Sequence, residues 1–330
     1  MSDARTNERT KEDGKAGAGS PEACSSDSCS SCQSMKDGTC PLEHERARND
    51  NPHSDETKSA IEKLPQGQFN NIRHVVAVMS GKGGVGKSSV TALLAASFAR
   101  EGYNVGILDA DITGPSIPKM FGIKQRADGL EFGLLPVRSE TFKMPVMSIN
   151  LLLPNEDDPV IWRGPIIANV VKQFWTDVIW GDLDFLFVDL PPGTGDAPLT
   201  VMQSLPLDGI VIVSSPQDLA VMVVKKAIKM ARLMKTHILG LVENMSYVIC
   251  PHCGGKHEVF GASKGRAVAD ATDIPLLATL PLDPRLSELC DEGRVEDYEP
   301  EGFGDVVDFI VKIADHLGKL KAKEAEAQMK

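Results

Sequence analysis

The chain has 330 residues and a net charge of −11, and its hydrophobic and charged contents are 42% and 25%. These values are ordinary for a globular protein with a sizeable core, and the acidity argues against a protein that coats nucleic acid non-specifically. The sequence contains no apolar run long enough to span a membrane and no signal-peptide core, which predicts a cytoplasmic protein.

The N-terminal region, residues 1–70, is polar and has few bulky apolar side chains, so it is expected to be disordered. It nevertheless holds four of the seven cysteines, in the spacing C-x4-C-x2-C-x7-C. Four thiolates could bind an iron–sulfur cluster or a zinc ion and thereby order the segment. A flexible tail with free cysteines is the alternative. The candidate ligands are Cys24, Cys29, Cys32 and Cys40.

From His74 onward, strand-like and helix-like segments alternate, which predicts a parallel sheet with helices on both faces. We therefore expect an α/β protein with a doubly wound, mostly parallel sheet over residues 71–318, and a polar tail, 319–330, without an apolar face to anchor a membrane. The expected strands are 74–79, 104–109, 184–189, 208–214, 237–243 and 275–280. The expected helices are 87–101, 164–180, 217–235, 262–271 and 303–318, and residues 124–160 are expected to form short strands and turns at the sheet edge.

The first expected strand ends at a glycine-rich loop, Gly81-Lys-Gly-Gly-Val-Gly-Lys-Ser88, and an apolar-periodic segment follows at once. This order is typical of a phosphate-binding loop, in which backbone N–H groups and the N-terminal end of a helix surround a polyphosphate. Lys87 would neutralise the β- and γ-phosphates of ATP, and the Ser88 hydroxyl would bind Mg²⁺. An ordinary glycine-rich turn is the alternative. The residues expected to contact the nucleotide are Gly81, Lys82, Gly83, Gly84, Val85, Gly86, Lys87, Ser88 and Ser89.

A second lysine, Lys82, directly follows the first glycine of the loop, where the ordinary pattern requires none. With this lysine the loop resembles the deviant phosphate loop of the nitrogenase iron protein, MinD and ParA class. In that class the early lysine reaches the nucleotide of the partner protomer. The resemblance implies an ATP-driven homodimer in which Lys82 takes part in catalysis, and a solvated loop lysine is the alternative.

Acidic residues follow the next two central strands. Asp109 and Asp111 lie at the end of the second expected strand, and Asp189 ends the third, before a loop rich in proline and glycine. Ligands of doubly wound sheets bind at the carboxyl ends of strands, so these carboxylates could hold Mg²⁺ through water and orient the attacking water. The resemblance to the deviant-loop class implies that Asp111 is needed for hydrolysis and that Asp109 lies beside the metal. Capping of the next helix is the alternative for Asp111.

Asn244 follows the expected strand 237–243. Its carboxamide could offer a donor and an acceptor to the edge of a base. The Asn-Lys-x-Asp pattern typical of guanine sites is absent from the chain, which favours adenine. An ordinary turn residue is the alternative.

The segment Cys250-Pro-His-Cys253-Gly-Gly carries a second cysteine group. Two thiolates on a tight glycine-rich turn suit a tetrahedral metal or an iron–sulfur cluster, and the missing ligands must come from other cysteines of the chain or from a second copy on a two-fold axis. A thioredoxin-like dithiol would need its first cysteine at a helix N-terminus, which the glycines oppose. Residue chemistry does not separate zinc from iron–sulfur here. Cys290, in a helix-like stretch, is expected to be a buried thiol.

Together these motifs resemble the Mrp/ApbC family of iron–sulfur cluster carrier ATPases, which is close to the eukaryotic cytosolic scaffold ATPases. The resemblance implies a [4Fe–4S] cluster shared by two protomers through Cys250 and Cys253, and ATP-coupled transfer of that cluster to apoproteins. The cysteine-bearing tail is similar to that of the scaffold subgroup, although the subgroup spacing is C-x13-C-x2-C-x5-C. The segments that carry the resemblance are Gly81–Ser88, Leu108–Pro118, Trp162–Pro165, Asp189–Asp196, Ser215–Gln217, Glu243–Met245 and Cys250–Cys253.

We therefore expect a cytoplasmic, homodimeric ATPase that binds and delivers iron–sulfur clusters, uses ATP and Mg²⁺, and has no nucleic-acid or membrane partner. Two other classes share the phosphate loop. A ParA- or MinD-type positioning ATPase has no use for the Cys250–Cys253 pair. An ATP-gated electron donor resembling the nitrogenase iron protein would also bridge a cluster, but no feature of the sequence identifies a partner to reduce.

Overall fold

A mostly parallel sheet forms the centre of the fold. The computed structural model describes residues 65–112, 114–153 and 164–328, and all of these lie in the unit Ile61–Lys330. The described strands are β1 (Asn70–Ser80), β2 (Val105–Asp109), β3 (Asp128–Leu130), β4 (Gly133–Leu135), β5 (Val137–Arg138), β6 (Pro145–Ser148), β7 (Gly181–Asp189), β8 (Gly209–Ser214), β9 (Ile238–Ile249), β10 (Lys256–His257) and β11 (Leu276–Pro281). The described α-helices are α1 (Lys87–Arg100), α2 (Ile117–Met120), α3 (Gly164–Thr176), α4 (Asp196–Ser204), α5 (Asp218–Leu233), α6 (Gly265–Thr272), α7 (Pro284–Glu292) and α8 (Phe303–Gln328).

Nine of the described strands share one sheet, in the order β10-β9-β8-β1-β7-β2-β6-β5, and β11 pairs with β9 beside β10. All the pairs among β1, β2, β6, β7, β8, β9 and β11 are parallel, whereas β5 and β10 are antiparallel additions. Strands β3 and β4 form a separate hairpin. Because β7 and β8 pair with opposite sides of β1, the crossover leaves a crevice at the carboxyl end of β1.

Helices cover both faces of this sheet because side chains alternate along each strand. In β1, Val76 faces one core and Met79 faces the other. Helices α1, α2, α7 and α8 pack on the first face, and α3, α4, α5 and α6 pack on the second. In the first core the fully buried Phe98 of α1 meets Phe187 of β7 edge-on, with ring centroids 5.1 Å apart. The doubly wound α/β architecture predicted from the sequence is confirmed.

The main strands lie where the sequence predicts them, but three described helices, α2, α4 and α7, are not in the predicted set and several bounds differ. Helices α2 and α4 have only four and nine residues, and α7 buries only Leu289, so none of them shows a long apolar period. The start of α7 is nevertheless marked by Asp283, whose side chain accepts a hydrogen bond from the backbone N–H of Arg285, and by Pro284. Helix α3 ends at Thr176, four residues before the predicted end, and α8 continues to Gln328 through most of the predicted polar tail.

The first strand also starts earlier than predicted. Residues 66–70 were assigned to the N-terminal region, yet β1 begins at Asn70, and the Gln66 amide both donates to and accepts from the backbone of Ile72, each at 2.8 Å. These two hydrogen bonds resemble those that a neighbouring strand would make, so residues 66–70 pack against the start of the sheet. The predicted ligands Cys24, Cys29, Cys32 and Cys40 lie outside the described residues. No described helix is long and apolar enough to cross a membrane.

Candidate nucleotide site and cysteine knuckle

The predicted phosphate loop connects β1 to α1 in the crevice of the sheet. Gly84 and Gly86 have φ values of 77° and 76°, a left-handed conformation that glycine adopts without strain. The backbone N–H of Val90 donates to the Gly86 carbonyl at 3.0 Å and starts the helix. The loop borders a cavity of about 220 Å³, whose other walls include Asp111, Ser116, Met120 and Pro192.

Lys87 is the centre of a buried polar network at the base of this cavity. Its Nζ lies 2.8 Å from Asp189 Oδ2 and 3.6 Å from Asp111 Oδ2, and the residue is only 6% exposed. Asp189 is fully buried and also accepts hydrogen bonds from the hydroxyls of Ser88 at 2.6 Å and Thr91 at 2.7 Å. The network therefore positions the ammonium group of Lys87 beside the loop, where it could bind a phosphate. The Ser88 hydroxyl and the neighbouring carboxylates are hard oxygen donors, which fits Mg²⁺.

Asp109 is fully buried, like Asp189. Burial raises the pKa of its carboxyl group to about 8, the Asp189 carboxylate adds to this rise, and Lys87 acts in the opposite direction. Its oxygens accept hydrogen bonds from the backbone N–H of Asp111 at 3.1 Å and from the Ser148 hydroxyl at 3.2 Å. Asp109 thus braces the connection after β2 that carries Asp111, and its expected position beside a metal held through water remains a prediction.

Lys82 points away from the Lys87 network. Its Nζ lies 2.5 Å from Gln217 Oε1, the side chain that precedes α5, and its carbonyl accepts a hydrogen bond from the Ser80 hydroxyl at 2.9 Å. Lys82 is therefore not part of the cavity wall formed by its own loop. This position leaves the role of Lys82 toward a partner protomer as a prediction.

Asn244 lies within β9, which continues to Ile249, and so does not end the strand as predicted. Its Nδ2 donates to the Val85 carbonyl of the phosphate loop at 3.0 Å, and its Oδ1 accepts from the backbone N–H of Met245 at 2.9 Å. Gly86 lies directly against this amide, so any Cβ there would collide with Asn244. These two bonds use one donor and one acceptor of the amide, and contact of Asn244 with a base remains a prediction.

Cys250 and Cys253 lie in the turn that joins β9 to β10, and we call this turn, residues 250–255, the knuckle. The backbone N–H of Cys250 donates to the Gly255 carbonyl at 2.9 Å, and that of Gly254 donates to the Cys250 carbonyl at 2.9 Å. The backbone N–H groups of Cys253 and then His252 lower the pKa of the Cys250 thiol, because they stabilise its thiolate. A hairpin turn is not the helix N-terminus that a thioredoxin-like dithiol requires.

The knuckle by itself has too few thiols for a site with four ligands. Cys253 is exposed and Cys250 is partly exposed, and among the described residues no group of three or more His, Cys, Asp or Glu side chains is placed to hold a metal. Cys290 lies on α7, away from the knuckle, and burial raises the pKa of its thiol. The structure therefore places Cys250 and Cys253 together, separate from Cys290.

Three supporting residues were given no individual role from the sequence, although Gln217 and Glu243 lie in segments that carry the family resemblance. Thr91 follows Lys87 by one helical turn and is the only other hydroxyl partner of Asp189 among the described residues besides Ser88. Gln217 contacts Lys82. Glu243 is a buried carboxylate inside an otherwise apolar stretch of β9. A polar residue within an apolar strand or helix is the signal that could have identified Thr91 and Glu243.

The comparisons with known proteins agree with this geometry. The family model described as "ParA: NUBPL iron-transfer P-loop NTPase" matches residues 71–317. The chain belongs to this family. The family covers the sheet, the phosphate loop and the knuckle, and the resemblance to Mrp/ApbC carriers is confirmed.

Proteins similar to this chain include two that are named iron-sulfur cluster carrier proteins. The one from Clostridium perfringens is 46% identical over 241 residues, which cover 71% of this chain and 84% of the relative. The one from Methanocaldococcus jannaschii is 42% identical and covers 77% of this chain and 87% of the relative. A probable cytosolic Fe-S cluster assembly factor of Schizosaccharomyces japonicus is 42% identical over 68% of this chain, but only 40% of that protein is covered.

Among solved structures, a nucleotide-binding protein of Archaeoglobus fulgidus in complex with ADP, with cobalt found in it, is 50% identical to this chain. The match has a TM-score of 0.64 and covers 70% of this chain and 91% of the other. The MinD cell division ATPase of Pyrococcus furiosus has a TM-score of 0.50 at 22% identity, over 75% of this chain and 99% of that one, which supports the fold alone.

Proposed function

We propose that this protein is an ATPase that binds a [4Fe–4S] cluster as cargo and transfers it to apo iron–sulfur proteins. The observation that carries the proposal is the accessible cysteine pair, whose first thiolate is stabilised by backbone N–H groups, in the turn directly after β9, the strand whose Asn244 contacts the phosphate loop. A positioning ATPase of the MinD type needs the loop but not these thiols. The names of the carrier relatives and the ADP complex of the A. fulgidus protein support the proposal.

The loop residues account for the ATPase step. Lys87 would exchange part of its contact with Asp189 for the β- and γ-phosphates, while the backbone N–H groups of the loop bind the phosphate oxygens. Asp111, in the cavity wall 3.6 Å from Lys87, would orient the attacking water. Mg²⁺, held through Ser88 and Asp189, would neutralise charge on the phosphates. Asn244 would contact the adenine base with its remaining donor and acceptor.

A homodimer completes both sites in this proposal. A [4Fe–4S] cluster needs four thiolates and each knuckle has two, so two copies around a two-fold axis supply the full set. The same pairing would allow Lys82 to leave Gln217 and reach the partner's nucleotide. The cytosol, which the S. japonicus relative's name states for that protein, is the proposed location. Cys24, Cys29, Cys32 and Cys40 are proposed to hold a second cluster.

The experiment is anaerobic reconstitution of Cys250→Ser and Cys253→Ser. Each variant should lose the shared cluster and its transfer to an apo-ferredoxin, because one knuckle thiolate per chain, two per pair, is half of the four that the cluster needs. ATP binding should persist, since the phosphate loop is built from other residues. Cys290→Ser is the matched control and should keep both properties. Stoichiometric zinc at the knuckle after anaerobic reconstitution, with no iron, would overturn the proposed cargo.

A further inference from the structure

The knuckle lies in a segment, residues 246–264, that leaves the sheet beside the buried carboxylate of Glu243 and returns to it. We call this segment the excursion. Strand β9 stops pairing with β8 after Glu243, continues through Ser246 to the cysteines, and the chain returns through Ser263 and Lys264 to α6. Glu243 is 2% exposed and accepts hydrogen bonds from the hydroxyls of Ser246 at 2.8 Å and Ser263 at 2.5 Å, and from the backbone N–H of Lys264 at 2.9 Å. Both ends of the excursion, residues 246–264, are thus fastened to Glu243.

A bulge in β9 lies at this fastening point. Between the pairs Glu243–Thr279 and Tyr247–Pro281, β9 advances four residues while β11 advances two. Met245, inside this bulge, has a φ of 58°, which is uncommon for a residue with a side chain. Bulges of this kind redirect side chains and occur beside active sites.

The bulge directs the neighbouring residue, Asn244, to the phosphate loop. Asn244 donates to the Val85 carbonyl at 3.0 Å and accepts from the backbone N–H of Met245 at 2.9 Å, so its side chain joins the loop to the distorted backbone. Asn244 is 4% exposed, which leaves it little freedom to move without its partners. Asn244 therefore contacts the phosphate loop, and the adjacent Glu243 contacts both ends of the excursion.

We propose that the β9 bulge, residues 243–246, couples the phosphate loop to the knuckle, so that nucleotide binding at the loop restrains the excursion 246–264. Glu243 and Asn244 are the positioning residues. A polyphosphate held by the loop fixes the Val85 carbonyl, Asn244 carries that restraint into the backbone at Met245, and Glu243 passes it to both ends of the excursion. The inference rests on the proposed nucleotide-binding function of the loop.

The test is amide hydrogen exchange on the full chain, without a cluster, in the presence and absence of saturating Mg-ADP. In the unmodified protein, ADP should slow exchange at residues 81–89 and should also slow it about two- to tenfold at 246–264, the factor that one ordinary hydrogen bond provides. Asn244→Ala also removes the proposed base contact, so it should bind ADP more weakly and is measured at an ADP concentration that saturates it in its own titration. At that concentration ADP should still slow exchange at 81–89 but no longer at 246–264, whereas no protection at 81–89 in the saturated variant would overturn the separation of binding from coupling. Asn244→Asp, which retains the acceptor for Met245 but not the donor to Val85, should behave in the same way.

Two further variants separate coupling from general loosening. Asn70→Ala removes an equally bonded asparagine at the opposite end of β1 and should leave the ADP effect at 246–264 intact. Glu243→Gln should speed exchange at 246–264 with or without ADP, because the amide offers one acceptor oxygen instead of two. Protection at 81–89 without any change at 246–264, or an Asn244→Ala response equal to that of the unmodified protein, would overturn the coupling. No protection at 81–89 would defeat the proposed nucleotide site itself.

Discussion

At the scale of single residues, the charged side chains at the base of the loop are already buried in the structure. Lys87 and Asp189 are 6% and 0% exposed, and their 2.8 Å contact compensates two charges that would be costly alone. The same lysine must later bind phosphate. Its contact with Asp189 therefore stabilises the fold and keeps a positive charge beside the phosphate loop.

Replacing Lys87 separates these two roles. Lys87→Ala should abolish ATP binding, and it should also lower the free energy of unfolding of the nucleotide-free protein by about 3–5 kcal/mol, since Asp189 would stay buried without its cation. Calorimetric titration with ATP and urea denaturation measure the two effects. Lys82→Ala is the control: it should retain binding by a single chain and full stability because its Nζ contacts only an exposed glutamine. An unchanged stability for Lys87→Ala would contradict the role assigned to the pair.

Asp109 offers a pH test at the same scale. The pKa of its carboxyl group is 3.8 ordinarily and about 8 in the fold, so between these values the folded state binds more protons than the unfolded state. Stability should therefore fall as pH rises through this window in the absence of nucleotide and Mg²⁺. Asp109→Asn resembles the protonated acid, so it should remove this part of the pH dependence and be more stable than the unmodified protein at pH 8. Urea denaturation at several pH values measures it, and parallel curves for both proteins would contradict the assignment.

At the scale of elements, the sequence predicts best where the local pattern and the tertiary environment agree. The phosphate loop, β2, β7 and β8 were placed within a few residues because buried parallel strands are continuous apolar runs. The first strand and β9 were predicted too short. The start of β1 is polar and is held by the side chain of Gln66, whereas the continuation of β9 past the bulge at Met245 depends on its pairing with the distant strand β11. The pairing of Asn244 with Val85 was missed for the same reason: it joins residues 159 positions apart.

The close approach of β9 to the phosphate loop makes Gly86 irreplaceable. Gly86→Ala should destabilise the protein and abolish nucleotide binding, because the φ of 76° disfavours a side chain and a Cβ would collide with the Asn244 amide. Gly83→Ala is the matched control in the same loop. A Cβ at Gly83 would meet only Pro192, at 4.0 Å, so stability should change little. Thermal unfolding without nucleotide measures both, and equal melting temperatures for the two variants would show that the contact is not required.

At the scale of the whole molecule, the phosphate loop and the knuckle lie at different places on one sheet. The loop follows the carboxyl end of the central strand β1, whereas the knuckle follows β9 beyond its pairing with β8. An exposed pair of thiols can meet both a second copy and a recipient protein. In the proposed function, a single chain supplies the phosphate loop and two of the four cluster thiols, so iron stoichiometry should depend on assembly.

Removing residues 1–64 tests this view of the molecule. The described fold begins with the contacts of Gln66, so the shortened chain should fold and bind ATP. Its remaining paired thiols, Cys250 and Cys253, should bind about two irons per chain, half of a [4Fe–4S] cluster, and chelation of that cluster should shift the nucleotide-free protein toward monomer. Iron and sulfide analysis with analytical ultracentrifugation measure both quantities. Cys250→Ser in the shortened chain should bind no cluster, whereas four irons on a shortened chain that sediments as a monomer would exclude a shared cluster.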